Sequence, residues 1–71
     1  MKNSLRVQRA IKEISQEELS KHVGCSRQTI NAMELNKYAP SVMLALRIAH
    51  YFGRPLEEIF MLTEEDLKSF M

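Results

Sequence analysis

The sequence is poor in the residues that cross-link or break a chain. It holds one cysteine, two glycines, two prolines and no tryptophan among its 71 residues. A single cysteine cannot form an internal disulfide, so we expect a reducing, cytoplasmic location. No apolar run reaches the roughly 18 residues of a membrane-spanning helix, and no signal-peptide pattern opens the chain, so neither a membrane segment nor a leader is expected.

Side-chain sets that support catalysis or metal binding are also missing from the sequence. His22 and His50 have no cysteine or second histidine at ligand spacing, so no metal or other cofactor is expected. No Ser/His/Asp or Cys/His set is arranged for nucleophilic catalysis, and no glycine-rich phosphate loop is present. The sequence therefore favours a binding protein over an enzyme and suggests no small-molecule ligand.

Charge is distributed unevenly along the chain, although the formal net charge is only +1. Residues 1–54 carry nine Lys/Arg and four Asp/Glu, a balance of +5. Residues 55–71 carry one lysine and five acidic residues, a balance of −4. This asymmetry suggests an anionic partner for the first part of the chain.

Helical periodicity dominates the sequence, and strand alternation is nearly absent. We therefore predict an all-α fold in one domain over residues 1–71, with a core over 4–60. A tail over 61–71 is expected to add a helical turn or to pair as a short strand. The predicted helices are about Ser4–Lys12, Gln16–Val23, Arg27–Leu35, Val42–Phe52 and Pro55–Phe60. The residues that cap or end them are Ser15, Ser26, Ser41, Thr63, Gly24 and Gly53.

Apolar spacing predicts which side of each helix faces the core. Leu5, Val7 and Ile11 are expected to face inward from the first helix, and Leu19 and Val23 from the second. The residues expected to face inward from the fourth helix are Val42, Ala45, Ile48, Ala49 and Phe52.

The stretch GCSRQTINAME, Gly24–Glu34, concentrates polar side chains at the start of a short helix. On a helical projection Ile30, Met33 and Glu34 share the inward side, and the outer, leading side carries other residue types. A guanidinium there can pair with guanine O6 and N7, a Gln or Asn amide with adenine N6 and N7, and a small alanine permits close approach. An ordinary solvated helix face is the alternative interpretation. The predicted base-contacting residues are Arg27, Gln28, Asn31 and Ala32.

The preceding helix favours the DNA interpretation. SQEELSKHVG and CSRQTINAME read as two capped helices joined by a tight turn, which is helix-turn-helix spacing. Over Ile14–Phe60, with Leu5–Arg9 upstream, the chain resembles the phage-repressor, Cro-like (Xre) helix-turn-helix family. The resemblance implies a compact five-helix domain that binds double-stranded DNA, usually as a homodimer on a two-fold symmetric operator. We expect a transcriptional regulator, and a repressor rather than an activator.

The resemblance also implies roles for residues outside the base-facing set. Arg9 and Glu34 fall on a family salt-bridge pair, so a partly buried ion pair is expected, and a simply exposed Glu34 is the alternative. Gln16 matches the family's phosphate-binding glutamine, and Asn36–Ser41 matches a loop that touches the DNA backbone. The predicted phosphate-contacting residues are Gln16, Ser26, Thr29, Asn36, Lys37 and Tyr38.

Several of these positions have alternative interpretations. Asn36 stands where the family often has glycine, but asparagine tolerates a positive φ. Tyr38 could instead pack against Pro40. Cys25, beside the start of the third helix, could act as a redox switch, although a small, semi-buried turn residue is the favoured interpretation. Arg54–Pro55 leaves the fifth helix without a side-chain cap.

Apolar residues of the fourth helix and beyond, up to Phe70, exceed what one core-facing stripe buries. We expect a homodimer, and the alternative is a larger monomeric core beneath the tail. A second functional hypothesis is an antitoxin-type or other interaction module that binds a protein partner at the acidic C-terminal end. The predicted dimer residues are Met43, Leu46, Tyr51, Phe60 and Leu62.

Overall fold

The computed structural model describes residues 1–68, so Phe70 and the last part of the predicted tail lie outside the described residues. The domain is helical, as predicted, but residues 1–68 form six helices instead of five, together with two short strands. In chain order the elements are β1 (Lys2–Asn3), α1 (Leu5–Lys12), α2 (Gln16–Val23), α3 (Arg27–Glu34), α4 (Val42–Phe52), α5 (Leu56–Ile59), β2 (Phe60–Met61) and α6 (Glu64–Lys68).

The helix ends follow the capping chemistry of the sequence. Ser15 Oγ accepts from the Glu18 backbone N–H, and Glu18 Oε1 accepts from the Ser15 N–H, which completes a capping box. Ser26 and Ser41 cap α3 and α4 in the simpler way, with one side-chain oxygen each. Gly24, at φ 77°, ends α2 in the left-handed conformation that glycine adopts without strain.

The sequence left open whether the tail forms a short strand or a helical turn. The structure contains both, first β2 and then α6. β2 pairs antiparallel with β1, with Lys2 opposite Met61 and Asn3 opposite Phe60. Thr63 and Asp66 then form the capping pair that begins α6. Strand β1 was not predicted, because two residues are too few to show an alternating pattern.

The core lies where α2, α3 and α4 meet, closed on one side by α1 and on another by α5. Leu5, Leu19, Ile30, Ile48 and Ile59 are fully buried in it. Each comes from a different helix, so burial of one apolar face per helix holds the five together. The other members of the core are Val23, Met33, Leu44, Ala45, Ala49 and Phe52.

The predicted core positions of three residues are wrong. Val7 and Ile11 are exposed, because at 100° per residue they lie about 200° and 240° around α1 from the buried Leu5. Val42 is 76% exposed, because it occupies the first turn of α4, at the edge of the domain. The fifth helix is also shorter than predicted, since Pro55 is its N-cap and not its first helical residue.

Candidate nucleic-acid interface

The turn between α2 and α3 is held from two sides. Within it, the N–H groups of Gly24 and Cys25 both donate to the Ser20 carbonyl. From α4, Arg47 Nε donates to the carbonyl of Val23 at 2.9 Å, which satisfies an acceptor at the negative end of α2. Sequence reasoning missed Arg47, since no local pattern shows that an arginine of α4 reaches a helix end 24 residues earlier.

Helix α3 presents different chemistry on its two sides. Ile30 and Met33 are buried, and their contacts with the core set the orientation of the helix. Gln28 and Asn31 are exposed on the other side, and Arg27 is exposed at the leading end of the helix. The fourth predicted base-contacting residue, Ala32, is half-buried.

The side chains of Arg27 and Gln28 make no hydrogen bond or ion pair with any residue between 1 and 68. Their donors and acceptors are therefore available to a partner. Two long polar side chains extend from a helix whose other side is held in the core, an arrangement suited to reading a groove.

Arg9 and Glu34 meet beside α3, where the side chains are only 16% and 6% exposed. Arg9 Nε donates to Glu34 Oε2 and Nη2 donates to Oε1, so the contact is bidentate. Arg9 Nη1 also donates to the carbonyl of Ile14 at 3.1 Å. The pair therefore ties α1 to α3 and to the α1–α2 connection.

Competing effects act on the Glu34 carboxyl. Burial alone raises its pKa, but hydrogen bonds from Arg9 and Gln16, with the positive charges of Arg9 and Arg6, outweigh burial and lower it. The pKa of Arg9 is raised, mainly by its hydrogen bond to Glu34. Both groups are therefore charged at neutral pH.

Gln16 makes a contact that the sequence did not predict. Its Nε2 donates to Asn31 Oδ1 and to Glu34 Oε1, at 3.1 Å in both cases. A primary amide nitrogen carries two hydrogens, so both donors of the Gln16 side chain are engaged. The residue expected to hold a phosphate is thus joined to a residue expected to read bases.

The other predicted phosphate-contacting residues lie at the two ends of α3. Ser26 and Thr29 are joined at the helix start by their hydroxyls, 2.9 Å apart. Asn36 follows the helix end at φ 60°, the positive φ expected there. Its Oδ1 accepts from Asn3 Nδ2, which also donates to the Met33 carbonyl, so β1 supports this turn. Lys37 and Tyr38 are exposed.

Cys25 is half-buried against the core. This agrees with the small, semi-buried turn residue that the sequence favoured. Burial raises the pKa of its thiol, although the positive charge of Arg47 acts in the opposite direction. The thiolate that a redox switch needs is therefore disfavoured. The structure does not support the redox interpretation.

The five predicted dimer residues divide into two groups. Met43, Leu46 and Leu62 are exposed, at 67%, 53% and 67%. Tyr51 and Phe60 are half-buried and pack against the core within the domain. The Tyr51 ring also stacks on His22 with a centroid separation of 4.7 Å.

Two open apolar depressions flank α4. One, of about 680 Å³, lies between α4 and the end of α2, and includes Met43 and Leu46. The other, of about 560 Å³, lies between the start of α4 and the α5–β2 segment, and includes Leu62. Val42 borders both. The surface around the start of α4 is therefore apolar on two sides.

Two further properties of residues 1–68 bear on the site. None of the helices in this range combines the length and the apolar character that spanning a membrane requires. The same range contains no group of three or more His, Cys, Asp or Glu side chains that could hold a metal ion.

Two capped helices joined by a glycine turn, the second with an exposed polar side, define a helix-turn-helix domain. A family model described as helix-turn-helix matches residues 5–59, most of the chain, and the chain belongs to this family. The family expected from the sequence is thereby confirmed, and membership agrees with the expectation that the chain is not an enzyme.

Relatives of similar length occur in archaea and bacteria. The chain is 47% identical over 66 residues to an uncharacterized HTH-type transcriptional regulator of Methanocaldococcus jannaschii, covering 93% of this chain and 100% of the relative. It is 44% identical over 66 residues to the uncharacterized HTH-type transcriptional regulator YgzD of Bacillus subtilis, with the same coverages. A third such regulator, from Methanothermobacter thermautotrophicus, is 45% identical over 69 residues, or 96% of this chain and 100% of the relative.

Proposed function

We propose that the protein is a sequence-specific DNA-binding transcriptional regulator that acts in the cytoplasm. It inserts α3 into the major groove, binds a two-fold symmetric operator as a homodimer and represses transcription. The observation that carries the proposal is the exposed side of α3. Arg27 and Gln28 have uncommitted donors and acceptors there, on a helix held by Ile30 and Met33.

Base reading is assigned to Arg27, Gln28 and Asn31, with Ala32 allowing the helix to approach the bases. Arginine donates twice to guanine, and an amide can donate and accept at adenine. The Arg9–Glu34 pair and the contact of Arg47 with Val23 hold α3 and the preceding turn in place in the absence of DNA. Less side-chain and backbone freedom is then lost on binding.

Phosphate binding is assigned to the two ends of α3. Ser26 and Thr29 are at its start, and Asn36, Lys37 and Tyr38 follow its end. Such contacts fix register and orientation without reading sequence. Gln16 joins this set through its backbone N–H at the start of α2, where a helix N-terminus favours an anion.

Dimer formation is assigned to the apolar surface around α4. Met43, Leu46 and Leu62 are large, apolar and exposed. Tyr51 and Phe60 border the two depressions beside them. A single small module makes few contacts, whereas two modules spaced by roughly one helical turn, about 34–36 Å, engage two half-sites together.

Selection of bound duplexes from a random library tests the proposal, followed by a salt titration on the preferred duplex. A two-fold symmetric consensus and a dimer in sedimentation at tens of micromolar are expected. Selection of no duplex over random DNA would exclude sequence-specific binding. A single asymmetric half-site bound by a monomer would exclude the dimeric operator and leave the DNA-reading helix in place.

The second candidate function is an antitoxin-type interaction module. The observation in its favour is the acidic surface of α6, at Glu64 and Glu65, close in the chain to the apolar Leu62. Such a surface suits a basic partner with an apolar patch. Stoichiometric co-purification of one small protein from the native host, lost on charge reversal of Glu64 and Glu65, would favour this function.

A further inference from the structure

The contacts beside α3 have only one possible hydrogen-bond polarity. Arg9 can only donate, and the ionised Glu34 can only accept. Gln16 must therefore turn its NH₂ group toward Glu34, as observed at 3.1 Å. The lowered pKa of Glu34 keeps this carboxylate an acceptor at neutral pH.

The direction of the hydrogen bond from Gln16 to Glu34 also fixes the direction of the hydrogen bond between Gln16 and Asn31. The second hydrogen of Gln16 Nε2 points at the Asn31 side chain, which must meet it with an acceptor. Asn31 therefore turns Oδ1 toward Gln16 and leaves Nδ2, a donor, on the exposed side of α3. An ion pair between α1 and α3 thus sets the orientation of an amide on the exposed helix surface.

We propose that Gln16 is a positioning residue that holds Asn31 with its donor outward, so that Asn31 selects guanine and not adenine. This inference rests on the proposed function, because it names the base that one position of α3 recognises. The usual amide contact to adenine needs both a donor and an acceptor facing the base. Guanine presents two acceptors, O6 and N7, in the major groove, and so matches an outward NH₂ group.

The arrangement also changes the role of Gln16 toward the DNA backbone. A phosphate oxygen accepts hydrogen bonds, and both side-chain donors of Gln16 are already engaged. The outward atom of this side chain is its own carbonyl oxygen, which a phosphate does not bind. The Gln16 side chain therefore serves base selection through Asn31, and only its backbone N–H remains for a phosphate.

The test uses the duplex preferred by the full-length protein and the three versions of it that differ at one base pair. That pair is the one whose preference is lost in Asn31→Ala. The unaltered protein should prefer guanine over adenine there by on the order of tenfold. Replacing this guanine with 7-deazaguanine, which lacks the N7 acceptor, should weaken binding of the unaltered protein and not of Asn31→Ala.

Gln16→Met tests the positioning role. Methionine has a similar side-chain length but no hydrogen-bond donor, so the Asn31 amide can turn over. The ratio of the affinities for guanine and adenine should then fall toward one at this base pair alone. Gln8→Met is the matched control, because Gln8 is half-buried on α1 and outside the contacts of Asn31. It should leave the ratio unchanged. A preference for adenine, an unchanged ratio in Gln16→Met, or no position that depends on Asn31 would each overturn the inference.

Solvent exchange of side-chain amides in the free protein separates this inference from the proposed function. The Gln16 NH₂ hydrogens should exchange slowly in NMR spectra, and those of Asn31 should exchange fast. If no duplex is selected, the proposed function fails, and the base preference fails with it. Slow exchange at Gln16 would then still support the orientation of the amides, whereas fast exchange would overturn it as well.

Discussion

Removal of one partner of the Arg9–Glu34 ion pair should destabilise the domain strongly. Arg9→Met keeps the apolar stem of the side chain but leaves the Glu34 carboxylate, 6% exposed, without its cation. Breaking a buried pair from one side costs about 3–5 kcal/mol. Glu34 retains the hydrogen bond from Gln16, and Arg9 is 16% exposed, so we expect roughly 2–4 kcal/mol here.

Such a loss is large for a chain of 71 residues. At about 0.05–0.15 kcal/mol per residue, the whole free energy of unfolding is roughly 4–10 kcal/mol. Urea unfolding followed by circular dichroism measures the difference. The double variant Arg9→Met/Glu34→Leu is the control, because replacing both charges with apolar groups is often neutral or stabilising. It should recover most of the lost stability.

The stability of the two proteins should depend differently on pH. In the unaltered protein the pKa of Glu34 is lowered, so its contribution is present above the usual carboxyl pKa and is lost as pH falls through the folded value. In Arg9→Met the hydrogen bonds and charge of Arg9 no longer lower this pKa, so it should lie higher and the variant should lose less stability as pH falls. The difference between the proteins should therefore shrink in acid. Equal stability of Arg9→Met and the unaltered protein at pH 7 would refute the reasoning.

The remaining predictions concern DNA binding and assembly. Gln28→Ala should cost roughly 1–3 kcal/mol on the preferred duplex and relax one base pair, as measured by fluorescence anisotropy, and an equal loss on every sequence would contradict its role as a reader. Lys37→Ala should instead weaken binding to all duplexes and reduce the salt slope by about one, and an unchanged slope would exclude a phosphate contact. Leu46→Glu should yield a folded monomer in sedimentation, whereas Ile11→Glu, at a residue that is also well exposed but lies on α1, should leave the dimer intact. Dissociation by both variants would argue against an interface at α4.

The ion pair between Asp66 and the N-terminal amine has no local signal in the sequence. The Thr63 backbone N–H and the Met1 amine, 2.9 Å from the Asp66 carboxylate, lower the pKa of Asp66 to about 2. Only the capping role of Thr63 was predicted from the sequence. The amine comes from the opposite end of the chain, brought close by the pairing of β1 with β2.

The helix boundaries were predictable because the signals that set them are local. A serine three residues before the N–H that it caps, or a glycine after the last apolar residue, acts within one turn of the chain. Helices α2 and α4 accordingly begin and end at the predicted residues. The outward position of Gln28 and Asn31 was predictable for a similar reason, since helical geometry relates them directly to the buried Ile30, whereas the exposure of Arg27 was expected from its place at the leading end of the helix.

Contacts between elements were predictable only where the family resemblance implied them, as for Arg9 and Glu34. The contact of Arg47 with Val23 joins residues 24 positions apart, and that of Gln16 with Asn31 joins residues 15 apart. Many polar side chains compete for such partners, and the packing of α1, α2 and α4 against α3 determines which of them meet. Local chemistry thus specified the helices and the side of α3 that faces solvent, whereas the way separate helices pack set the hydrogen-bond polarity of that side, because polarity depends on which distant donors and acceptors come within 3 Å or so of one another.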